Sequence, residues 1–198
     1  GLDFGMFSNR LTGSIEYFKR KTLDMVGPAP QLPAVLGIAV PKTNNADMQS
    51  VGFDFDIQWR DRIGKVDYGI KFNLSDAQAK VLRYPNTTDA IGDWYAGKLS
   101  GTYWGYVTKG IAKTDEEMQE HLASLPNGGQ NKIGSKWGAG DIMYVDVNGD
   151  GQISPGQNTL SDHGDKTIIG NSTPRFNYGI ILDAAYAGFD FQCFSRCR

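Results

Sequence analysis

Val51-Gly-Phe-Asp-Phe-Asp-Ile-Gln-Trp-Arg60 decides how the chain is read. Val51, Phe53, Phe55, Ile57 and Trp59 take every second position, and Gly52, Asp54, Asp56, Gln58 and Arg60 fill the gaps. Side chains of a β-strand point alternately to opposite faces, so this segment has one apolar and one polar face. Asp61-Arg-Ile-Gly-Lys65 reads as a turn. Beyond it Val66, Tyr68, Ile70, Phe72 and Leu74 alternate with Asp67, Gly69, Lys71, Asn73 and Ser75. The pair is a hairpin, and each arm has about the 9–11 residues with which a tilted strand crosses a bilayer.

The same period recurs on both sides. Leu2, Phe4 and Met6 alternate with Asp3 and Gly5, Ser8-Asn9 marks a turn, and Gly13, Ile15 and Tyr17 then alternate with Thr12, Ser14 and Glu16. Near the other end, Phe176, Tyr178, Ile180, Leu182 and Ala184 oppose Arg175, Asn177, Gly179 and Asp183, with Ile181 interrupting the polar face. Ala185-Tyr-Ala-Gly188 turns this strand into Phe189, Phe191 and Cys193. Two long connections separate the hairpins. Residues 27–46 contain Pro28, Pro30, Pro33 and Pro41, which cannot donate ladder hydrogen bonds, so this is a loop. Residues 76–173 form an insertion. Its Thr114-Asp-Glu-Glu117 is a capping box, followed at helical spacing by Met118, Leu122 and Leu125 and stopped by Pro126-Asn-Gly-Gly129.

About six strands with alternating short and long connections fit an all-β class. Two architectures share the pattern. One is an antiparallel transmembrane β-barrel segment, tight turns on one side and long extracellular loops on the other. The other is a secreted β-sandwich with its apolar face turned inward, serving as a carbohydrate-binding module. Strand length, the aromatic-rich face and the short/long rhythm favour the barrel. The chain then divides into barrel strands with one long loop (1–75), an extracellular loop insertion (76–173) and a further barrel hairpin (174–198).

Composition agrees. The chain has 198 residues, a formal charge of −2, 25 glycines and 12% aromatic residues. There is no basic footprint, which speaks against a nucleic-acid partner. No apolar run of about 18 residues is present, yet barrel strands escape that criterion. A strand pattern begins at Leu2 and another is still running at Phe194, so the chain reads as a piece of a larger barrel. In isolation such a piece is expected to aggregate or stay unfolded, because it cannot close its edges. Cys193 and Cys197 are a weak disulfide or metal signal.

Asp146-Val-Asn-Gly-Asp-Gly-Gln152 is the first half of a calcium-loop pattern: Asp146, Asn148 and Asp150 offer side-chain oxygens, and Gln152 a carbonyl. Gln157 stands where an EF-hand needs a bidentate Glu, which leaves a smaller Ca2+-stabilised loop or a turn in which the carboxylates cap backbone N–H groups. Trp94, Tyr95, Tyr103, Trp104 and Tyr106 are a glycine-spaced aromatic cluster, suited either to stacking on sugar rings or to packing the loop. Asp54, Asp56 and Arg60 would line a wet lumen. His121 and His163 lack convergent partners, and no hydrolase, zincin or P-loop motif occurs, so no enzyme is expected.

Six segments, in order, carry a resemblance: Leu11-Thr-Gly-Ser-Ile-Glu-Tyr-Phe18 with Lys21-Thr22; Val26-Gly-Pro-Ala-Pro30; Asn44-Asn-Ala-Asp-Met-Gln-Ser-Val-Gly-Phe-Asp-Phe55; Gly101-Thr-Tyr-Trp-Gly-Tyr-Val-Thr-Lys-Gly-Ile111; Gly140-Asp-Ile-Met-Tyr-Val-Asp-Val-Asn-Gly-Asp-Gly151; and Ile168-Ile-Gly-Asn-Ser-Thr-Pro-Arg-Phe-Asn-Tyr-Gly179. Together they resemble the barrel region of SusC/RagA-type TonB-dependent outer-membrane transporters. That resemblance implies a barrel of roughly 22 strands with a plugged lumen. It also implies the outer membrane of a Gram-negative bacterium, lipid around the barrel, and a SusD-like lipoprotein partner. The TonB complex would act through a plug region, and an oligosaccharide or peptide would be the cargo. The ending Cys193-Phe-Ser-Arg-Cys-Arg198 departs from the family's continuation and reads as a truncation or a reading error.

Overall fold

A computed structural model describes residues 1–29 and 42–197. Pro30, Pro33 and Pro41, on which part of the loop expectation rests, lie outside the described residues. The strands are β1 (Leu2–Met6), β2 (Leu11–Val26), β3 (Asn44–Ile63), β4 (Val66–Arg83), β5 (Thr102–Tyr106), β6 (Thr108–Ile111), β7 (Ile142–Tyr144), β8 (Lys166–Asn171), β9 (Asn177–Tyr186) and β10 (Phe189–Cys197). One helix, α1 (Asp115–Ala123), precedes β7. β1, β2, β3, β4, β9 and β10 form one six-stranded sheet in that order, while β5 pairs with β8 and β6 with β7. The chain separates into two compact units, one of residues 1–24, 47–80 and 173–198 and the other of 25–46 and 81–172.

In the sheet the register follows the hydrophobic period. Ile70, Phe72 and Leu74 oppose Leu182, Ile180 and Tyr178 in the antiparallel β4–β9 pair. On the apolar face the Phe55 and Phe72 rings lie 6.3 Å apart. On the polar face Lys71 Nζ is 2.8 Å from Asp56 Oδ2. Ile181, the apolar residue on the polar face, sits opposite Lys71 and Phe194. The strands overrun the expected spans: β2 has 16 residues, β3 20 and β4 18. The turns expected at Asp61–Lys65 and Ala185–Gly188 are correspondingly tighter, while the first turn, expected at Ser8-Asn9, takes residues 7–10. β3 continues through Ile63, leaving Gly64, with φ of 63°, to reverse the chain. Phe7, Ser8 and Asn9 all take the left-handed conformation in the first turn. Phe176, expected on the strand face, precedes β9 and has φ of 54°.

The backbone spacing of Cys193 and Cys197 exceeds the Cα separation of a disulfide. Both lie in β10, four residues apart, so roughly 13 Å of extended chain separates them. Cys193 is an exposed free thiol.

Glycine is what allows two of the strands to approach. At Gly52 the Phe18 ring and the Asp76 carbonyl occupy the space a Cβ would need. Buried glycines of this kind, with Asp76, are all that is buried in the sheet unit among the described residues. Arg175 closes the β4–β9 ladder by donating from Nε (2.8 Å) and Nη2 (2.7 Å) to the two carboxylate oxygens of Asp76. The insertion differs. Ala112, Met118 and Met143 make a small core to which Leu122 and Trp137 add partly buried surface.

Candidate functional site

Helix α1 begins as the capping box predicts. Thr114 Oγ1 accepts from the Glu117 N–H at 3.2 Å, and Glu117 Oε2 accepts from the Lys113 N–H at 2.7 Å. The helix delivers His121 to Gln130, which is wholly buried. Gln130 Oε1 accepts from the Tyr144 N–H (2.7 Å) and lies 3.1 Å from His121 Nε2, while its Nε2 donates to the Ile142 carbonyl (3.1 Å). One glutamine thereby ties α1 to β7. Nothing in the sequence pattern marks it.

The aspartate-rich loop is organised by its own carboxylates. Asp146 accepts the N–H of Gly149 (2.7 Å) and of Gly151 (2.8 Å), one on each oxygen. Asp150 accepts from the Gln152 N–H at 3.0 Å, and the Asn148 side chain both accepts from the Asp150 N–H (3.0 Å) and donates to Asp150 Oδ2 (3.1 Å). Gly149 and Gly151 have φ of 76° and 79°, which glycine adopts without a Cβ penalty. A second carboxylate holds the loop from beneath: Asp165, fully buried, accepts from the Val147 N–H (2.9 Å) and the Ser154 N–H (2.7 Å). Among the described residues no three His, Cys, Asp or Glu side chains converge as a metal group. Asp165 is the residue the motif reading missed. It lies thirteen positions beyond Gln152, where only the fold brings it back.

The aromatic residues do not form one cluster. Trp94 packs edge-on to Tyr84, with centroids 6.0 Å apart, and the Lys98 ammonium stands 5.4 Å above Tyr95. Tyr103, Trp104 and Tyr106 lie on β5 and separate there. The Tyr103 ring rests on Gly170 of β8, Trp104 faces His163 at 5.3 Å, and Tyr106 faces Tyr144 at 5.4 Å. A shift of register between Tyr103 and Trp104 interrupts the alternation. Tyr103 is half exposed, whereas the Trp104 indole N–H is buried with no partner among the described residues.

Tyr103 and Trp104 border a cleft of about 470 Å³ that also takes in Lys98, Asn158 and Lys166. Lys98 Nζ donates to the carbonyls of Ile91 (3.3 Å), Gly92 (2.9 Å) and Asp93 (2.7 Å). Burial lowers the pKa of this ammonium, against the opposing pull of Asp93. Lys166 Nζ donates to Asn158 Oδ1 at 2.5 Å and stands 5.8 Å from the Tyr106 ring centre. Beside the cleft, Asp89 Oδ2 accepts from the Ser161 hydroxyl (2.5 Å) and N–H (3.0 Å), which together lower the Asp89 pKa. Neither lysine carries a sequence signature.

No family model matches the chain. It is 27% identical over 208 residues to TonB-dependent receptor P3 of Formosa agariphila, covering 98% of this chain and 19% of that receptor. TonB-dependent receptor SusC of Bacteroides thetaiotaomicron is 23% identical, over 97% of this chain and 18% of SusC. Over nearly its whole length the chain is similar to TonB-dependent receptors, SusC among them. It spans about a fifth of the length of the curated relatives it matches. The fold agrees: a chain of the RagAB peptide transporter superposes with a TM-score of 0.62 at 18% identity, over 98% of this chain and 20% of its own length. In the open-open state of the RagAB peptide importer the TM-score is 0.56, again at 18% identity, over 96% and 19% of the two chains.

Proposed function

We propose that the six-stranded sheet is part of the wall of a transmembrane β-barrel, and that the insertion is one of the barrel's extracellular loops. The observation that carries this reading is the uncovered apolar face. Ile70, Ile180, Leu182, Phe189 and Phe191 are exposed, and nothing within the sheet's own unit covers them among the described residues. A β-sandwich buries that face, and a barrel turns it to acyl chains. The turn end supports the reading. Trp59 donates from Nε1 to the Tyr68 hydroxyl at 3.3 Å, and the Phe7 ring lies 6.1 Å from Trp59. Such amphipathic rings belong at a membrane–water interface.

The protein so built resides in the outer membrane of a Gram-negative bacterium and imports oligosaccharides or similar nutrients with a SusD-like lipoprotein. Energy comes from a TonB complex acting on a plug region. Cargo is captured at extracellular loops, where Trp94, Tyr95, Tyr103, Trp104 and Tyr106 are the candidate contacts, and passes the charged face that carries Asp54, Asp56 and Arg60. No bond is made or broken. The Asp146–Gln152 loop keeps the insertion's shape, and a Ca2+ ion on Asp146, Asn148, Asp150 and Gln152 would reinforce it. Titration calorimetry at millimolar calcium decides that point, and absence of heat removes the ion from the account. Membrane fractionation tests the whole. The intact protein should sediment with outer membranes and require detergent; release into the aqueous fraction as a folded soluble protein would contradict the barrel.

A further inference from the structure

We propose that the cleft beside β5 and β8 takes an acidic sugar residue of the cargo, with Lys166 meeting its carboxylate or sulfate and Tyr103 its ring. This deepens the importer reading and rests on it. The cleft's lining is cationic in a chain of net charge −2: Lys98 and Lys166 border it, and no Asp or Glu does. The two lysines have different duties. Lys98 spends its three donors on the carbonyls of residues 91–93, so it contributes potential but no free N–H. Lys166 makes one hydrogen bond, to Asn158, and no ion pair among the described residues. Its remaining donors are available to an anion.

The aromatic wall selects the rest of the ligand. Tyr103 remains 49% exposed although its ring is fixed against Gly170, where a Cβ would collide with the phenol. A half-exposed ring lining the same cleft as an ammonium with donors to spare fits the apolar face of a pyranose that carries an acidic substituent. An acidic peptide offers the charge without a flat face for the ring.

Calorimetry on the intact, detergent-solubilised transporter tests this. The probes are a uronate hexasaccharide, a sulfated galactan hexasaccharide, their carboxyl-reduced and desulfated counterparts, and an acidic hexapeptide. At least one acidic sugar should bind about tenfold or more tightly than its neutral counterpart, and the preference should shrink as salt rises. Lys166→Gln should abolish that preference, read as the ratio of acidic to neutral affinity, and Lys166→Arg should retain it. The carboxylate and sulfate arms distinguish the two sources of charge. Equal binding of acidic and neutral forms, a preference untouched by Lys166→Gln, a preference for the peptide, or no binding of any probe would overturn the inference. Each of those results in a protein that still fractionates with the outer membrane leaves the importer reading standing.

Discussion

The six-stranded sheet and the insertion are held together by different means. Every buried apolar side chain among the described residues, from Ala46 and Val81 to Met143 and Ile153, belongs to the unit of residues 25–46 and 81–172. The sheet unit buries glycines and Asp76 instead, and shows most of its large apolar side chains on one face, with Phe194 and Ile181 on the other. The insertion therefore folds around a core of its own, tied by polar pins such as Gln130 and Asp165. On the barrel proposal, the sheet's exposed apolar face is met by acyl chains rather than by a core of its own. The difference teaches where each unit's stability lies, and substitutions can exploit it.

The largest effect is expected at the insertion's core. Met118→Ala should cost about 2–5 kcal/mol, since the side chain is wholly buried and the cavity cannot refill easily. Hydrogen exchange should show protection lost across α1 and β7 and kept in the sheet; uniform loss would merge the two units into one. Next is Leu182→Arg. In water a substitution at an exposed position changes stability by about 0.5 kcal/mol or less. At mid-membrane it costs about 2–4 kcal/mol. Heat-modifiable mobility of the intact protein after electrophoresis reports the outcome, and an unaffected variant would argue against lipid contact.

Polar pins should cost less. Gln130→Ala removes the partners of the Tyr144 N–H and the Ile142 carbonyl, a loss of about 1–3 kcal/mol. It should loosen β7 in hydrogen exchange without altering barrel assembly. Smallest is the pH response of the Asp89–Ser161 contact. Because the folded pKa of Asp89 is depressed, its contribution is complete above the ordinary aspartate range and disappears only as pH falls through the lower, folded value. Ser161→Ala should move the Asp89 titration, followed by NMR, back toward the ordinary range; an unmoved titration would remove the contact from the account.

The sheet was legible because alternation at Val51–Trp59 and Val66–Leu74 is a purely local property, and the register later obeyed it. The helix was legible for a similar reason: Thr114 and Glu117 mark its start three residues apart. The short strands of the insertion were not. β6 and β7 have four and three residues, and register shifts at Tyr103/Trp104 and Thr108/Gly110 break any period. The aromatic residues looked like one cluster because they are close in sequence, but β5 distributes them among Gly170, His163 and Tyr144. Asp165 and Lys166 follow no periodic spacing with their partners Val147, Ser154 and Asn158, so no sequence pattern marks them.

The central claim is that the apolar face of the sheet meets lipid. Nitroxide labels placed singly at Ile70, Phe72 and Leu182, and at Lys71 and Asn73 across the pleat, test it in the intact protein reconstituted into vesicles. Accessibility to dissolved oxygen and to a water-soluble nickel chelate should alternate from residue to residue along β4, with oxygen favoured at Ile70 and Phe72 and nickel at Lys71 and Asn73. Nickel access on both faces, or neither quencher reaching Ile70, Phe72 and Leu182, would contradict the account.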